Sequence, residues 1–355
     1  MEKLKVGIAG YGVVGKRRHF YIDLHKDLKV VSVCDRNFKT NGRMDNGILY
    51  FSNYKELLNE DIDVLFVCLT NDIAAEVTVA GLEKGLHVFC EKPPGRDLKD
   101  MALVINCKKK YPNMVLKYGF NHRYHDSVQD ALAVIASKQL GEIINLRGIY
   151  GKSKIISFGQ NSGWRSERAI AGGGILLDQG IHMVDLLRLF AGEFCDVHSF
   201  VSNDFWKHDV EDNAYALLRT KDRKIAMLHS SATQWRHHFQ LDIHLTKGAL
   251  ILSGILSGSK SYGSEKLTIV WAAEDDKGDP KEQTTRYNED NSWRLEIEEF
   301  ANAIFNKTPI YHGTVDDAFN TMKLVYDIYM ADPEWRECWN IQANNLPQLE
   351  CETEI

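Results

Sequence analysis

No apolar run in the 355 residues is long enough to cross a membrane. The opening Met1-Glu2-Lys3-Leu4-Lys5 passes straight into a strand pattern, with no signal-peptide core. A cytoplasmic protein with no membrane partner is therefore expected. The seven cysteines (34, 68, 90, 107, 195, 338 and 351) are odd in number and contain no Cys-x-x-Cys pair. That argues against a disulfide framework, and no metal site is expected. Cys34, Cys68 and Cys90 lie in apolar runs and read as buried thiols in a reducing compartment. Basic clusters are scarce too. Lys108-Lys109-Lys110 is the exception, and it suits a helix C-terminus offsetting its dipole. With 43 basic against 49 acidic residues the net charge is −6, which argues against a general nucleic-acid binder. No internal repeat is present.

What is there begins with balance. At 44% hydrophobic and 26% charged, the composition is globular, and the length suits two domains. Residues 4–9 read as a short buried strand. Gly10-Tyr11-Gly12-Val13-Val14-Gly15 follows, then a basic helical segment over 16–26 and a second strand over 29–34 that ends at Asp35. A Gly-x-Gly-x-x-Gly alone is weak. With a strand before it, a helix after it and an acid 20 residues beyond Gly15, it reads as a dinucleotide-binding unit. Gly10 permits the tight turn, Gly12 admits a pyrophosphate beside the backbone, and Gly15 lets helix and strand pack. The helix N-terminus turns unpaired N–H groups and a positive dipole end toward the phosphates. Asp35 can accept hydrogen bonds from the adenosine ribose and repels a 2′-phosphate, which favours NAD. Arg36 beside it suits such a phosphate and leaves NADP open.

The alternation of helix and apolar strand continues to residue 120, as a parallel sheet buried on both faces requires. Thr70 and Asn71 fall at the strand edge where ligands bind in such sheets. The strand over 87–90 runs into Glu91-Lys92-Pro93-Pro94. Pro93 restricts Lys92 to extended conformations and aims its ammonium at a defined point. The plain alternative is a surface pair before a proline turn.

After residue 121 the pattern becomes β-rich. Strands are expected over 143–150, 196–203, 213–220, 224–233, 239–246, 248–252 and 266–271, many alternating apolar with polar. Amphipathic helices are expected over 127–138, 293–305 and 315–330. The runs 152–162 and 273–292 read as loops, and 331–355 as a tail with Trp335 and Trp339 on one side of a helical turn. Within this half, Gly172-Gly173-Gly174 precedes Asp178 and His182. In a helix, their spacing of four puts a carboxylate and an imidazole on one face. These are common proton-handling groups, although such a pair also serves as a cap or a surface contact. With a cofactor unit upstream, the glycines read as room for substrate or nicotinamide beside the backbone.

The combination resembles the glucose-fructose oxidoreductase / inositol dehydrogenase / rhizopine catabolism (Gfo/Idh/MocA) family. It is carried by Gly10-x-Gly12-x-x-Gly15, Glu91-Lys92-Pro93, Gly119-Phe120-Asn121-His122-Arg123-Tyr124, Trp164-Arg165, and Gly172-Gly173-Gly174 before Asp178-x-Gly180-x-His182. It spans about residues 3–331. The resemblance implies an α/β N-terminal Rossmann domain (1–121) with a doubly wound parallel sheet that binds NAD. It implies a C-terminal α+β domain (122–355) with an open, largely antiparallel sheet for substrate binding and for pairing into a homodimer or homotetramer. Gly10, Tyr11, Gly12, Val13, Val14, Gly15, Asp35, Arg36, Thr70, Asn71, Glu91 and Lys92 would hold the cofactor. Lys92, Asp178 and His182 would converge as the catalytic group. Asn121, Arg123, Tyr124, Trp164 and Arg165 are candidate contacts to a polyhydroxylated, neutral or anionic substrate. Two departures stand out. The family often has Thr-Pro-Asn-x-x-His where this chain has Thr70-Asn71-Asp72-Ile73-Ala74-Ala75, and His122 replaces a common arginine.

The implied activity is hydride transfer between NAD and a hydroxyl or keto carbon of a sugar, sugar nucleotide or cyclic polyol. Such chemistry needs a base or acid beside the reacting oxygen. His182 is assigned that role, with Lys92 stabilising developing alkoxide charge and Asp178 orienting hydroxyls. Lys92 as the base is the open alternative. Two other classes compete: an NAD-retaining glycosidase or internal-redox enzyme, and a non-catalytic NAD sensor.

Overall fold

This computed structural model describes residues 3–155, 163–258, 261–273 and 279–341. Cys351, the end of the expected tail and most of the 152–162 run lie outside them. Two sheets organise the chain. The first comprises β1 (Leu4–Ala9), β2 (Leu28–Cys34), β3 (Gly42–Arg43), β4 (Leu49–Phe51), β5 (Val64–Val67), β6 (His87–Glu91) and β7 (Leu116–Gly119), in the order β3-β4-β2-β1-β5-β6-β7. All neighbours run parallel except β3 and β4. Helices α1 (Val13–Asp23), α2 (Tyr54–Leu57), α3 (Asn71–Glu83) and α4 (Leu98–Lys110) connect them. This is the expected doubly wound sheet, and its order reverses direction at β1, where such sheets open a ligand crevice.

Burial on both faces explains the apolar strands. In β5, Val64 and Phe66 join one core cluster while Leu65 and Val67 join another on the opposite face. The first of these faces is covered by an element from late in the chain. Helix α5 (Asp126–Ala136), α6 (Arg168–Ala171), α7 (Ile181–Ala191) and α8 (Ser292–Phe305) follow in order, and α8 returns to the first sheet. Phe300 meets the stacked pair Phe66–Phe89 edge-on, at centroid distances of 5.8 and 5.6 Å.

The second sheet comprises β8 (Ile143–Gly151), β9 (Phe194–Ser202), β10 (Asn213–Thr220), β11 (Ile225–Ser231), β12 (His238–Leu245), β13 (Gly248–Ser253), β14 (Glu265–Trp271) and β15 (Lys281–Tyr287). Its order is β15-β14-β13-β12-β8-β11-β10-β9, with only β8 and β11 parallel among the described residues. In β10, Ala214, Ala216 and Leu218 turn inward to the core that α7 completes, while Tyr215 and Leu217 turn outward. Helix α9 (Val315–Ala331), opened by a Thr314–Asp317 capping box, and α10 (Pro333–Cys338) finish the described chain.

Strand β15 corrects the expectation of a loop over 273–292. Its residues Lys-Glu-Gln-Thr-Thr-Arg-Tyr are almost wholly exposed, so no apolar alternation marks it; antiparallel pairing to β14 makes it a strand.

One buried charge cluster joins α1, β6 and α8. Arg18 is fully buried between the rings of Phe89 (4.4 Å) and Trp293 (4.1 Å). It pairs with Glu91 at 2.5 Å and Glu296 at 2.7 Å. Burial pushes the Glu296 carboxyl up to about 7 despite the opposing arginine. Removing one partner of such a group strands the others, so Arg18→Met is expected to cost about 3 kcal/mol in chemical denaturation. A carboxyl raised in the fold contributes stability at low pH and loses it as pH rises through the folded value. Glu296→Gln should therefore gain stability relative to the parent between pH 4.5, the ordinary value, and about 7. A constant difference across that range contradicts this account.

Candidate active site

A cleft of about 1300 Å³ lies at the carboxyl ends of the first sheet and extends to the second. Its first end is the glycine turn. Gly12 caps α1 with no side-chain hydrogen bond, and a Cβ built there meets no atom within 4 Å. A Cβ at Gly15 would stand 1.9 Å from the Gly10 carbonyl oxygen, so Gly15 packs helix on strand and does not line the cleft. Asp35, at the end of β2, accepts the Tyr11 N–H (3.0 Å) and the Asn37 N–H (2.9 Å), which fixes its carboxylate at the cleft wall. The Tyr11 hydroxyl turns aside to His19 Nδ1 at 2.6 Å, leaving only the main chain of Tyr11 in this arrangement. Val13, Val14 and Arg36 line the same end. An uncapped helix N-terminus, a backbone free of side chains and an anchored carboxylate fit a dinucleotide's pyrophosphate and ribose.

Thr70 and Asn71 open α3 at the middle of the cleft. The Thr70 hydroxyl bonds Asp72 (2.6 Å), and Asn71 Nδ2 donates to the Ala171 carbonyl (2.7 Å) across to the second half of the chain. Glu91, also expected at the cofactor, lines the cleft but gives its carboxylate to Arg18.

Lys92 crosses the cleft. Its Nζ donates to the Asp178 carbonyl oxygen at 2.6 Å and stands 3.9 Å from the Asp178 carboxylate. Burial lowers its pKa, and the Asp178 charge opposes that. Asp178 also accepts from Arg165 Nε at 3.2 Å. Burial disfavours the Asp178 carboxylate, but Arg165, Lys92 and Lys152 outweigh it and hold the carboxyl below its ordinary value. The Arg165 guanidinium lies 4.2 Å from the Trp164 ring centroid, and both residues line the cleft.

Asp178 and His182 do not share one regular helix. Leu176–Gly180 forms a π-turn that leads into α7, a bulge that often marks functional positions. Glu211 braces it: its buried carboxylate accepts the N–H groups of Gly174 (2.7 Å) and Leu176 (3.0 Å) and the Tyr329 hydroxyl (2.6 Å). His182 stacks on His122 with ring centroids 3.7 Å apart and planes 12° from parallel. Burial, then the neighbouring His122 and Lys92, push the His182 pKa well below its usual value, so the ring is neutral at pH 7. His122 is held neutral by burial in the same way.

Three expectations fail. The glycine run leaves no room for substrate: a Cβ at Gly172 would stand 2.2 Å from the Arg96 carbonyl oxygen, and one at Gly174 would stand 2.0 Å from that of Glu211. Those glycines pack backbone on backbone. Arg123 and Tyr124 are buried behind the cleft. Arg123 binds Asp185 (2.7 Å) and Asp317 (2.9 Å), and the Tyr124 hydroxyl bonds Glu299 (2.5 Å). Only Asn121 of that trio lines the cleft, with its amide on Ser292. Conversely, Lys152, Tyr150, Tyr262 and Gln179 line the cleft unannounced by any motif.

Comparison with known proteins bears on the family and the fold. The family model described as an oxidoreductase family with an NAD-binding Rossmann fold matches residues 4–119, and that of the GFO/IDH/MocA C-terminal domain matches 128–251. The chain belongs to the Gfo/Idh/MocA family. Levoglucosan dehydrogenase of Pseudarthrobacter phenanthrenivorans is 30% identical over 42% of this chain and 39% of its own length. 1,5-Anhydro-D-fructose reductase of Ensifer adhaerens is 29% identical over 63% and 67%. The chain thus spans about two fifths of the first of these relatives and two thirds of the second. The solved structure of levoglucosan dehydrogenase in complex with NADH superposes with a TM-score of 0.79 at 19% identity, covering 94% of this chain and 98% of that one, and shares its fold.

Gly12→Val and Gly15→Val separate cofactor contact from packing. Fluorescence titration should show Gly12→Val losing NADH affinity by about tenfold or more, with thermal stability kept within about 0.5 kcal/mol. Gly15→Val should lose both. Unchanged NADH affinity in Gly12→Val contradicts the cradle.

Proposed function

We propose that this protein is an NAD-dependent dehydrogenase that interconverts a hydroxyl and a keto carbon of a sugar, sugar nucleotide or cyclic polyol. One observation carries the reading: Lys92, Asp178 and His182, distant in sequence, line one end of the cleft whose other end is the glycine turn. Bound NAD would supply the hydride acceptor. The residues handle the proton and the charge. His182, neutral and buried, takes the hydroxyl proton at a ring nitrogen; its Nδ1 has no hydrogen-bond partner among the described residues. Lys92, held in place by the Asp178 carbonyl, stabilises negative charge on the reacting oxygen. Asp178, kept ionised by Arg165 and Lys92, orients hydroxyls. Asp35 favours NAD, while Arg36 on the same wall is the residue that would accept NADP.

Two further readings go with this. The outer face of the second sheet carries Phe200 (80% exposed) and Leu217 (54% exposed), with Tyr215 and Ile225 also exposed. Such an apolar face supports a homodimer or homotetramer paired through it; sedimentation as a monomer counts against that. Cys34, Cys68, Cys90, Cys107, Cys195 and Cys338 are free thiols, which supports a reducing, cytoplasmic setting. Export to an oxidising compartment on fractionation counts against it.

Kinetics of single variants test the assignment. His182→Ala should lower kcat by about 10²- to 10⁴-fold, as expected for loss of a general base. Lys92→Met should lower kcat by about 10²- to 10³-fold through loss of charge stabilisation. The parent should show no acid limb near 6.5, because His182 is already neutral there, and an alkaline limb below 10.5 as Lys92 loses its proton. His182→Ala with the full rate and an unchanged profile makes Lys92 the base instead.

A further inference from the structure

Lys152 follows β8 directly, and its main chain is pinned on both sides. Its N–H donates to the Ser231 carbonyl and its carbonyl accepts the Gln234 N–H, each at 2.8 Å. The side chain is half-buried in the cleft wall, with Nζ 5.4 Å from the centroid of the Tyr262 ring. Among the described residues its ammonium has no hydrogen bond and no ion pair.

Among the described residues the charges around it do not balance. Lys92, Arg165 and Lys152 line this end of the cleft, and the carboxylate facing them is that of Asp178. Asp178 is already engaged by Arg165 at 3.2 Å and Lys92 at 3.9 Å. Glu91 is committed to Arg18. His122 and His182 are neutral and add no negative charge. Burial brings the Lys152 pKa down to about 8, so the ammonium keeps its charge at pH 7. A half-buried cation that shares one carboxylate with two other cations is stabilised when a further anion joins it. A neutral sugar supplies none.

We propose that the substrate carries an anionic group, a carboxylate or a phosphate, and that Lys152 binds it at this end of the cleft. The inference rests on the dehydrogenase reading and names the substrate class for it. Lys152 then acts as a specificity residue, choosing a sugar acid or a phosphorylated sugar over the parent sugar.

The test is calorimetric titration of the NADH-saturated protein with D-glucose, D-glucuronate, D-glucose 6-phosphate and UDP-glucose. The parent, Lys152→Met and Lys152→Arg are compared, and NADH affinity serves as the check on folding. At least one charged ligand is expected to bind about tenfold tighter than D-glucose in the parent. That advantage should fall about tenfold in Lys152→Met and return in Lys152→Arg. The glucuronate arm and the two phosphate arms decide which anion is meant. The proposal is overturned if no charged ligand outbinds D-glucose, or if Lys152→Met keeps the advantage. NAD reduction measured in parallel separates the two readings. Turnover of neutral sugars without charge preference removes the anion site and leaves the dehydrogenase. Anion binding through Lys152 with no NAD reduction does the reverse.

Discussion

The catalytic end of the cleft is organised around one hydrogen bond, from the Lys92 ammonium to the Asp178 main-chain carbonyl. A lysine largely shielded from water needs oxygen partners close by to keep its charge. Meeting that need brings Lys92 and Asp178, from the two halves of the chain, into contact. The end of β6 and the π-turn before α7 must approach to within one side chain. Smaller contacts reinforce the approach: Asn71 bonds the Ala171 carbonyl, and the packed glycines Gly172 and Gly174 let the turn lie against the Arg96 and Glu211 backbones. Each end is also braced from behind, β6 by Arg18 on Glu91 and the π-turn by the Glu211 carboxylate.

Burial then sorts the titratable groups. The same dry surroundings that lower the Lys92 pKa keep His122 and His182 neutral, while three cations keep Asp178 ionised. A neutral imidazole beside a fixed ammonium and a fixed carboxylate is a set of groups with separated proton affinities, which is how one site handles a proton near neutral pH. It also leaves positive charge in excess, and Lys152 is where that excess is least compensated.

Much of this is legible in the sequence. The glycine turn, Asp35, and the apolar strands up to β7 follow from local rules, because a parallel sheet buried on both faces imposes continuous apolar runs. Proline, glycine and spacing mark Lys92, Asp178 and His182, and the family resemblance is what joins them into one group. Other features left no local trace. Nothing in the amphipathic pattern of α8 says that it covers the first sheet, since Phe300 would suit either core. Strand β15 is polar on both faces and reads as a loop. Arg123 and Tyr124 sit in a recognisable motif, yet their partners Asp185, Asp317 and Glu299 come from remote helices and turn them inward. Lys152 lies at the end of an ordinary alternating strand, and only the closing of the second sheet against the π-turn brings it to the cleft. Glu211 is the same case from the supporting side: an acid among loop residues whose role depends on three partners far away in sequence.

The central claim is that these residues carry out net transfer of hydride between NAD and a polyhydroxylated substrate. It is tested most directly by following NADH absorbance over a panel of free sugars, inositols, sugar acids and UDP-sugars. The account predicts net NADH from at least one member, and a rate that collapses in Lys92→Met while NADH binding persists. Absence of NADH from every member, or cleavage of a glycosidic bond with no net change in NADH, would contradict it.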